Sequence, residues 1–158
     1  MEQFDREKAK RVWQRVQGTS TPEPVPGHDL QELIVRESQD AAVYLHLSRR
    51  IPGRDGAALR QLYEQEQSHA AILRGICALT TGYRPGVSAP QPENGPVEVL
   101  LRRCYGREMQ ALSEYERRCE DPQYGAVFRK MAEQEQAHCR ILLEILGRLE
   151  KKNPRTKK

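Results

Sequence analysis

Six residues carry the chemistry open to this chain: Glu37, Glu66, His69, Glu108, Glu135 and His138. They fall into a repeat. The stretch Glu64-Gln-Glu-Gln-Ser-His-Ala-Ala-Ile-Leu73 returns sixty-nine residues later as Glu133-Gln-Glu-Gln-Ala-His-Cys-Arg-Ile-Leu142, with seven of ten positions identical. Each copy holds a Glu-x-x-His pair, and residues three apart on an α-helix leave from nearly the same face. A second echo lies upstream, Glu37 with Tyr44 and Glu108 with Tyr115. One Glu from each of two helices, with Glu-x-x-His from each of two more, is the ligand set of dinuclear carboxylate centres in four-helix bundles.

The flanking residues place these groups inward. One apolar seam reads Leu59, Leu62, Glu66, His69, Leu73, Ile76, and its partner reads Phe128, Met131, Glu135, His138, Leu142, Ile145. The other two read Leu30, Leu33, Glu37, Asp40, Tyr44, Leu47, Ile51 and Leu101, Cys104, Glu108, Ala111, Tyr115. Every seam is apolar except at mid-length. A single Glu on a helix is ordinarily solvated, and a single seam His is ordinarily a core residue. Four ionised carboxylates in one core would be prohibitively costly without compensating charge. Two divalent cations supply that charge.

Other polar residues fall outside the seam. Glu64 and Glu133 lie about 200° around the helix from Glu66 and Glu135 and face water. Gln65, Gln67, Gln134 and Gln136 also leave it and read chiefly as exposed helix positions. His46 is on the face opposite Glu37, and His28 is near a helix end. Tyr44 and Tyr115 sit two turns beyond a Glu on the same face, so a hydroxyl bond to a ligating carboxylate competes with a plain core role. Asp40 follows Glu37 by three residues. It reads either as a seventh carboxylate of the site, reaching it through a water, or as an acid turned to the helix edge to meet water or an Arg.

Four long helices must position these groups, over about residues 28–51, 57–81, 97–121 and 122–150. Pro52-Gly53-Arg-Asp-Gly56 and Asp121-Pro122 mark short turns, which give antiparallel hairpins. The link from Gly82 to Pro96 can extend to about 45 Å at ~3.3 Å per residue, longer than a 24-residue helix of about 36 Å. That reach fits an up-down-down-up bundle. Ahead of it, 1–17 reads as a helix with a thin apolar stripe (Phe4, Val12, Trp13, Val16), docking on the bundle or on a neighbouring chain. A Pro-rich connector follows to residue 27. The expected organisation is therefore 1–27 as helix and connector, 28–150 as bundle, and 151–158 as a basic, disordered tail.

At 158 residues the chain is one domain by size. The net charge of +4 belongs to the tail: the last eight residues hold five basic side chains, leaving 21 basic against 22 acidic residues elsewhere. A near-neutral body does not mark a nucleic-acid binder. Cys77, Cys104, Cys119 and Cys139 show no CxxC spacing, which excludes a zinc ribbon or a rubredoxin-type iron site. They fall in helical apolar patterns as small buried hydrophobes. With no signal core and no span for a bilayer, a reduced cytoplasm is the expected setting.

Over residues 28–150 the chain resembles the ferritin-like superfamily, and within it the rubrerythrin branch. The resemblance rests on Glu37, Glu66-x-x-His69, Glu108 and Glu135-x-x-His138, supported by Tyr44 and Tyr115. It implies an all-α ferritin-like bundle holding two iron ions, with manganese an alternative such sites accept. It also implies that Glu66 and Glu135 bridge the metals, that Glu37 and Glu108 are terminal ligands, and that each His binds one metal. The implied activity is oxidoreduction of hydrogen peroxide or dioxygen, in a homodimer or larger homo-oligomer. Iron storage of ferritin type and di-iron hydroxylation are the alternatives. The chain departs from rubrerythrins in two ways. It has no cysteine pairs for a rubredoxin domain, so the electron donor would be external. It has Ala111 where they carry an extra carboxylate, and under a pseudo-twofold Asp40 mirrors that position.

Overall fold

A computed structural model describes residues 28–86 and 91–152. The expected N-terminal helix and connector, and the tail beyond Lys152, lie outside the described residues. Four helices form and, among the described residues, no strand: α1 (His28–Arg50), α2 (Gly53–Thr81), α3 (Val97–Glu116) and α4 (Gly125–Lys152). None is long and apolar enough to cross a membrane.

Local chemistry sets the helix ends. Asp29 in the first turn of α1 and Arg49 and Arg50 in its last complement the helix dipole. Gly82 closes α2 in the left-handed conformation (φ 73°), its N–H bonded to the Ala78 carbonyl. Asp121 starts α4, its Oδ1 accepting from the N–H groups of Gln123 (2.9 Å) and Tyr124 (2.7 Å). The third helix is shorter than its sequence pattern. It ends at Glu116, where the backbone tightens into turns closed by the bonds of Arg118 N–H to the Tyr115 carbonyl (3.0 Å) and Cys119 N–H to the Glu116 carbonyl (3.2 Å). Cys119 therefore lies half-buried in a turn rather than on a helix.

The helices pack chiefly in pairs, α1 on α2 and α3 on α4, and the pairs meet along α1–α3 and α2–α4. At each hairpin corner a glycine admits the preceding backbone. A Cβ on Gly56 would strike the Ile51 carbonyl, and one on Gly125 the Cys119 carbonyl. These glycines are spaced like the two Glu-x-x-His copies, so the repeat includes its corners. The buried Asp55 at the start of α2 accepts from Arg148 Nε near the end of α4 (3.0 Å), whose Nη2 lies 2.9 Å from the same oxygen. The α2–α3 link is pinned at both ends: Arg74 Nε donates to the Pro85 carbonyl and Arg50 to that of Gly95, each at 2.8 Å.

The apolar core is split in two. One cluster gathers Tyr44, Leu47, Leu59, Leu62, Leu101, Leu142 and neighbours. The other gathers Leu33, Ile34, Leu73, Tyr115, Phe128, Met131 and neighbours. Fully burying a Leu-sized side chain is worth about 1.5–3 kcal/mol, so each cluster anchors all four helices. Between the two lies a polar layer.

Candidate metal centre

Mid-length seam positions on all four helices bring Glu37, Glu66, His69, Glu108, Glu135 and His138 into that layer. None is more than 2% exposed. His69 Nδ1 lies 2.9 Å from Glu135 Oε1, 3.3 Å from Glu37 Oε2 and 3.5 Å from Glu66 Oε2. His138 Nδ1 lies 2.8 Å from Glu66 Oε1, 3.0 Å from Glu135 Oε2 and 3.3 Å from Glu108 Oε2. Glu66 and Glu135 thus touch both imidazoles, whereas Glu37 and Glu108 touch one each. The rings lie 5.8 Å apart at 24°. Two overlapping groups result, Glu37–Glu66–His69–Glu135 and Glu66–Glu108–Glu135–His138, each with ligand atoms within 4.8 Å of one another.

The donor atoms of each group are placed to hold a metal ion. Glu66 Oε1 and both oxygens of Glu135 are buried and accept no aligned hydrogen bond, a costly condition for anionic acceptors. The orphaned oxygens are on the two carboxylates that span both groups, where cations shared between them would sit. A mixed imidazole and carboxylate donor set suits iron, manganese or zinc.

Electrostatics tie the layer together. Burial, and then the charge of Glu66, raise Glu37 and Glu108 well above the usual carboxylate range. Burial also opposes ionisation of Glu66 and Glu135. The neighbouring Glu37 and Glu108 carboxyls, with the two imidazoles, hold Glu66 and Glu135 below their ordinary values. Burial alone would lower the histidines, yet the surrounding carboxylates overcome it, pushing His138 up to about 12 and His69 further.

The tyrosines pair crosswise. Tyr44 on α1 donates to Glu108 Oε1 on α3, and Tyr115 on α3 donates to Glu37 Oε1 on α1. Each therefore serves the carboxylate of the other helix, which spacing within one helix cannot reveal. Burial raises both phenols, keeping them protonated as donors. Asp40 is outside both ligand groups. It accepts from Arg107 Nε, and Arg107 also reaches Glu93 Oε1 (3.3 Å) and Cys104 Sγ (3.4 Å). Burial raises Asp40 to about 7 against the pull of Arg107.

Glu64 and Glu133 are exposed, and His46 lies beside Arg50, away from the layer. Two residues that read as exposed helix positions do more. Gln134 Oε1 on α4 meets His69 Nε2 at 3.1 Å, and Gln65 Oε1 on α2 meets His138 Nε2 at 2.7 Å. Each precedes a site Glu by one residue, at the edge facing the neighbouring helix, and is long enough to reach across. Their repetition beside Glu66 and Glu135 was the available signal. Arg107, adjacent to Glu108, left no such mark.

Compared with protein-family models, with curated proteins and with solved structures, the chain matches none significantly. The site's chemistry therefore has to carry the functional reading.

Proposed function

We propose that this chain is a dinuclear non-haem iron protein, a rubrerythrin-like oxidoreductase acting on hydrogen peroxide or dioxygen and drawing electrons from an external donor. The observation that carries the reading is the pair of overlapping buried groups sharing Glu66 and Glu135, with three orphaned oxygens between them. In this reading Glu66 and Glu135 would serve both ions, Glu37 and Glu108 one each, and His69 and His138 would complete the two sets. Four carboxylates then balance two dications.

The reading includes an up-down-down-up bundle. Residues 37 and 44 of α1 meet 115 and 108 of α3, and residues 65 and 69 of α2 meet 138 and 134 of α4, so both cross-pairs run in opposite directions. The link between its anchors at Arg74 and Arg50 passes from one end of the first hairpin to the other.

A bound ferrous pair supplies two electrons, which with two protons suffice to convert hydrogen peroxide to two waters. The rest is the work of this chain. Closure of the layer admits only small oxidants. The tyrosine hydroxyls hold protons at Glu108 Oε1 and Glu37 Oε1. Asp40, titrating near neutrality beside the half-buried Arg107, stands where a proton can pass between solvent and the layer. A groove of about 540 Å³ between α1 and α2, lined by Ser38, Ala41, His46, Tyr63, Ala70 and others, includes none of the six candidate ligands. An organic substrate lodged there would lie apart from the carboxylates, which favours peroxide or dioxygen over a hydroxylation substrate.

The test is metal analysis of protein from its native host, followed by anaerobic loading with ferrous iron and a peroxide turnover assay. Two ions per chain with turnover are expected. One ion or none at saturation would remove the dinuclear reading, and a many-subunit assembly with an iron core but no turnover would replace oxidoreduction by storage.

A further inference from the structure

Gln65 is exposed and Gln134 half-buried, yet each turns its amide oxygen to the imidazole of a candidate ligand. An amide oxygen can only accept a hydrogen bond. At 3.1 Å from Gln134 Oε1 and 2.7 Å from Gln65 Oε1, the Nε2 atoms of His69 and His138 must therefore carry hydrogen. A neutral imidazole has one N–H. In the neutral ring that a cation requires, hydrogen on Nε2 leaves the lone pair on Nδ1, the atom that in each half has three carboxylate oxygens within 3.5 Å.

The carboxylates by themselves favour the opposite arrangement. Three acceptors around Nδ1 draw a proton to that atom, which would block it as a ligand. An acceptor at Nε2 stabilises the tautomer that leaves Nδ1 free and fixes the ring plane as well. Both bonds cross between helices: α4 supplies the amide for the α2 histidine, and α2 the amide for the α4 histidine.

We infer that Gln65 and Gln134 are positioning residues for metal loading, each locking the tautomer and orientation of the opposite helix's histidine so that Nδ1 is presented to the cation. The inference rests on the dinuclear reading of the site. It also gives the second residue of each Glu-Gln-Glu-Gln repeat a role set by contact rather than burial, since Gln65, like Gln67, is exposed, yet its amide oxygen meets His138 Nε2.

The test uses the full chain and zinc(II), which is diamagnetic and redox-silent. Gln134→Leu and Gln65→Leu remove the acceptor; Gln134→Glu and Gln65→Glu restore it; Gln136→Leu is the control. Calorimetry reads stoichiometry and affinity, and nitrogen-15 NMR of the zinc-loaded protein reads which ring nitrogen carries hydrogen. In the parent, both histidines should show protonated Nε2 and metal-bound Nδ1. Gln134→Leu should weaken one of the two ions by about 10- to 100-fold and perturb the ring signals of His69 alone, and Gln65→Leu should do the same at His138. The Glu variants should recover most of the affinity, and Gln136→Leu should match the parent. Should a Leu variant fail to fold, Gln→Met, of similar length and without an amide oxygen, takes its place. Parent affinity and unchanged ring signals in the acceptor-less variants would overturn the inference alone. A parent that binds fewer than two zinc ions would overturn the dinuclear reading beneath it.

Discussion

Loading the site with metal should expel protons in a number that the buried layer sets. The metal-free layer holds two imidazoles that its carboxylates keep protonated, His138 up to about 12 and His69 beyond it. It also holds two acids, Glu37 and Glu108, raised by burial and by Glu66, beside the ionised Glu66 and Glu135. Two imidazolium charges against two carboxylates leave the layer neutral. Two dications on four carboxylates and two bare Nδ1 atoms are neutral too, and the difference is four protons. Nδ1 deprotonation alone sets a floor of two. Each proton released makes the joint binding constant rise about tenfold per pH unit, so two to four decades per pH unit are expected across neutrality. The sign follows from the raised values. Protons occupy the ligand atoms at low pH, so affinity rises as pH rises. Stabilisation of the metal-free fold by His138 is complete below its unfolded value near ~6.5 and declines progressively as pH climbs from there through about 12. Deprotonation of this residue will therefore not melt the metal-free protein near neutrality. Anaerobic calorimetry with ferrous iron, in buffers of different ionisation heat at pH 6, 7 and 8, counts the protons. Fewer than two per pair of ions, or an affinity flat in pH, would refute the reasoning.

Further tests address single groups. Glu66→Ala and Glu135→Ala each remove oxygens that touch both histidines and should abolish binding of at least one ion, whereas Glu64→Ala and Glu133→Ala should keep two; elemental analysis decides. Saturating metal at about 100 times Kd should stabilise the fold by about 2.7 kcal/mol, roughly 5–10 °C in Tm for a chain of this size, and equal melts with and without metal would contradict a buried charged centre. Tyr44→Phe leaves Glu108 Oε1 without its phenolic donor and should cost about 1–3 kcal/mol in urea unfolding of the metal-free protein; Tyr115→Phe should do likewise through Glu37. The folded Asp40 carboxyl is raised to about 7, so its favourable contribution is complete below its unfolded value near ~3.9 and is lost as pH rises through 7. That loss amounts to at most about 4 kcal/mol. Asp40→Asn should flatten the stability of the metal-free protein between pH 4 and 7, and a slope identical to the parent's would rule Asp40 out as its source.

Much of this arrangement is legible in the chain because it rests on periodicity. Glu66 and His69 share a seam with Leu59, Leu62 and Leu73, and the seam must face inward whatever it meets. The same logic places Glu37, Glu108, Glu135 and His138 in one layer. What periodicity cannot express is which residue answers which across the bundle. Tyr44 lies on the face of Glu37 yet bonds to Glu108, because the opposing helix brings that carboxylate within reach. Gln65 and Gln134 leave the seam by angle and return to the layer by side-chain length. Asp40 meets Arg107 through a contact between α1 and α3 that no spacing within either helix encodes. The end of α3 at Glu116 rests on the backbone tightening to i→i+3 bonds over 115–119, a choice that helical propensity does not record.

The crossed bonds have a consequence for symmetry. Each hairpin supplies the tyrosine and the glutamine that the other hairpin's ligands need, so neither is complete alone. Two identical hairpins related by a true twofold could build the same centre from a single gene half this length. Joining them in one chain removes the requirement that the halves remain identical. This chain uses that freedom: Asp40 stands on one flank, where the mirrored position holds Ala111, and Cys104 takes the position that mirrors Leu33. A centre with matched ligands thus has unlike sides, and a proton or an oxidant approaching it meets a left and a right.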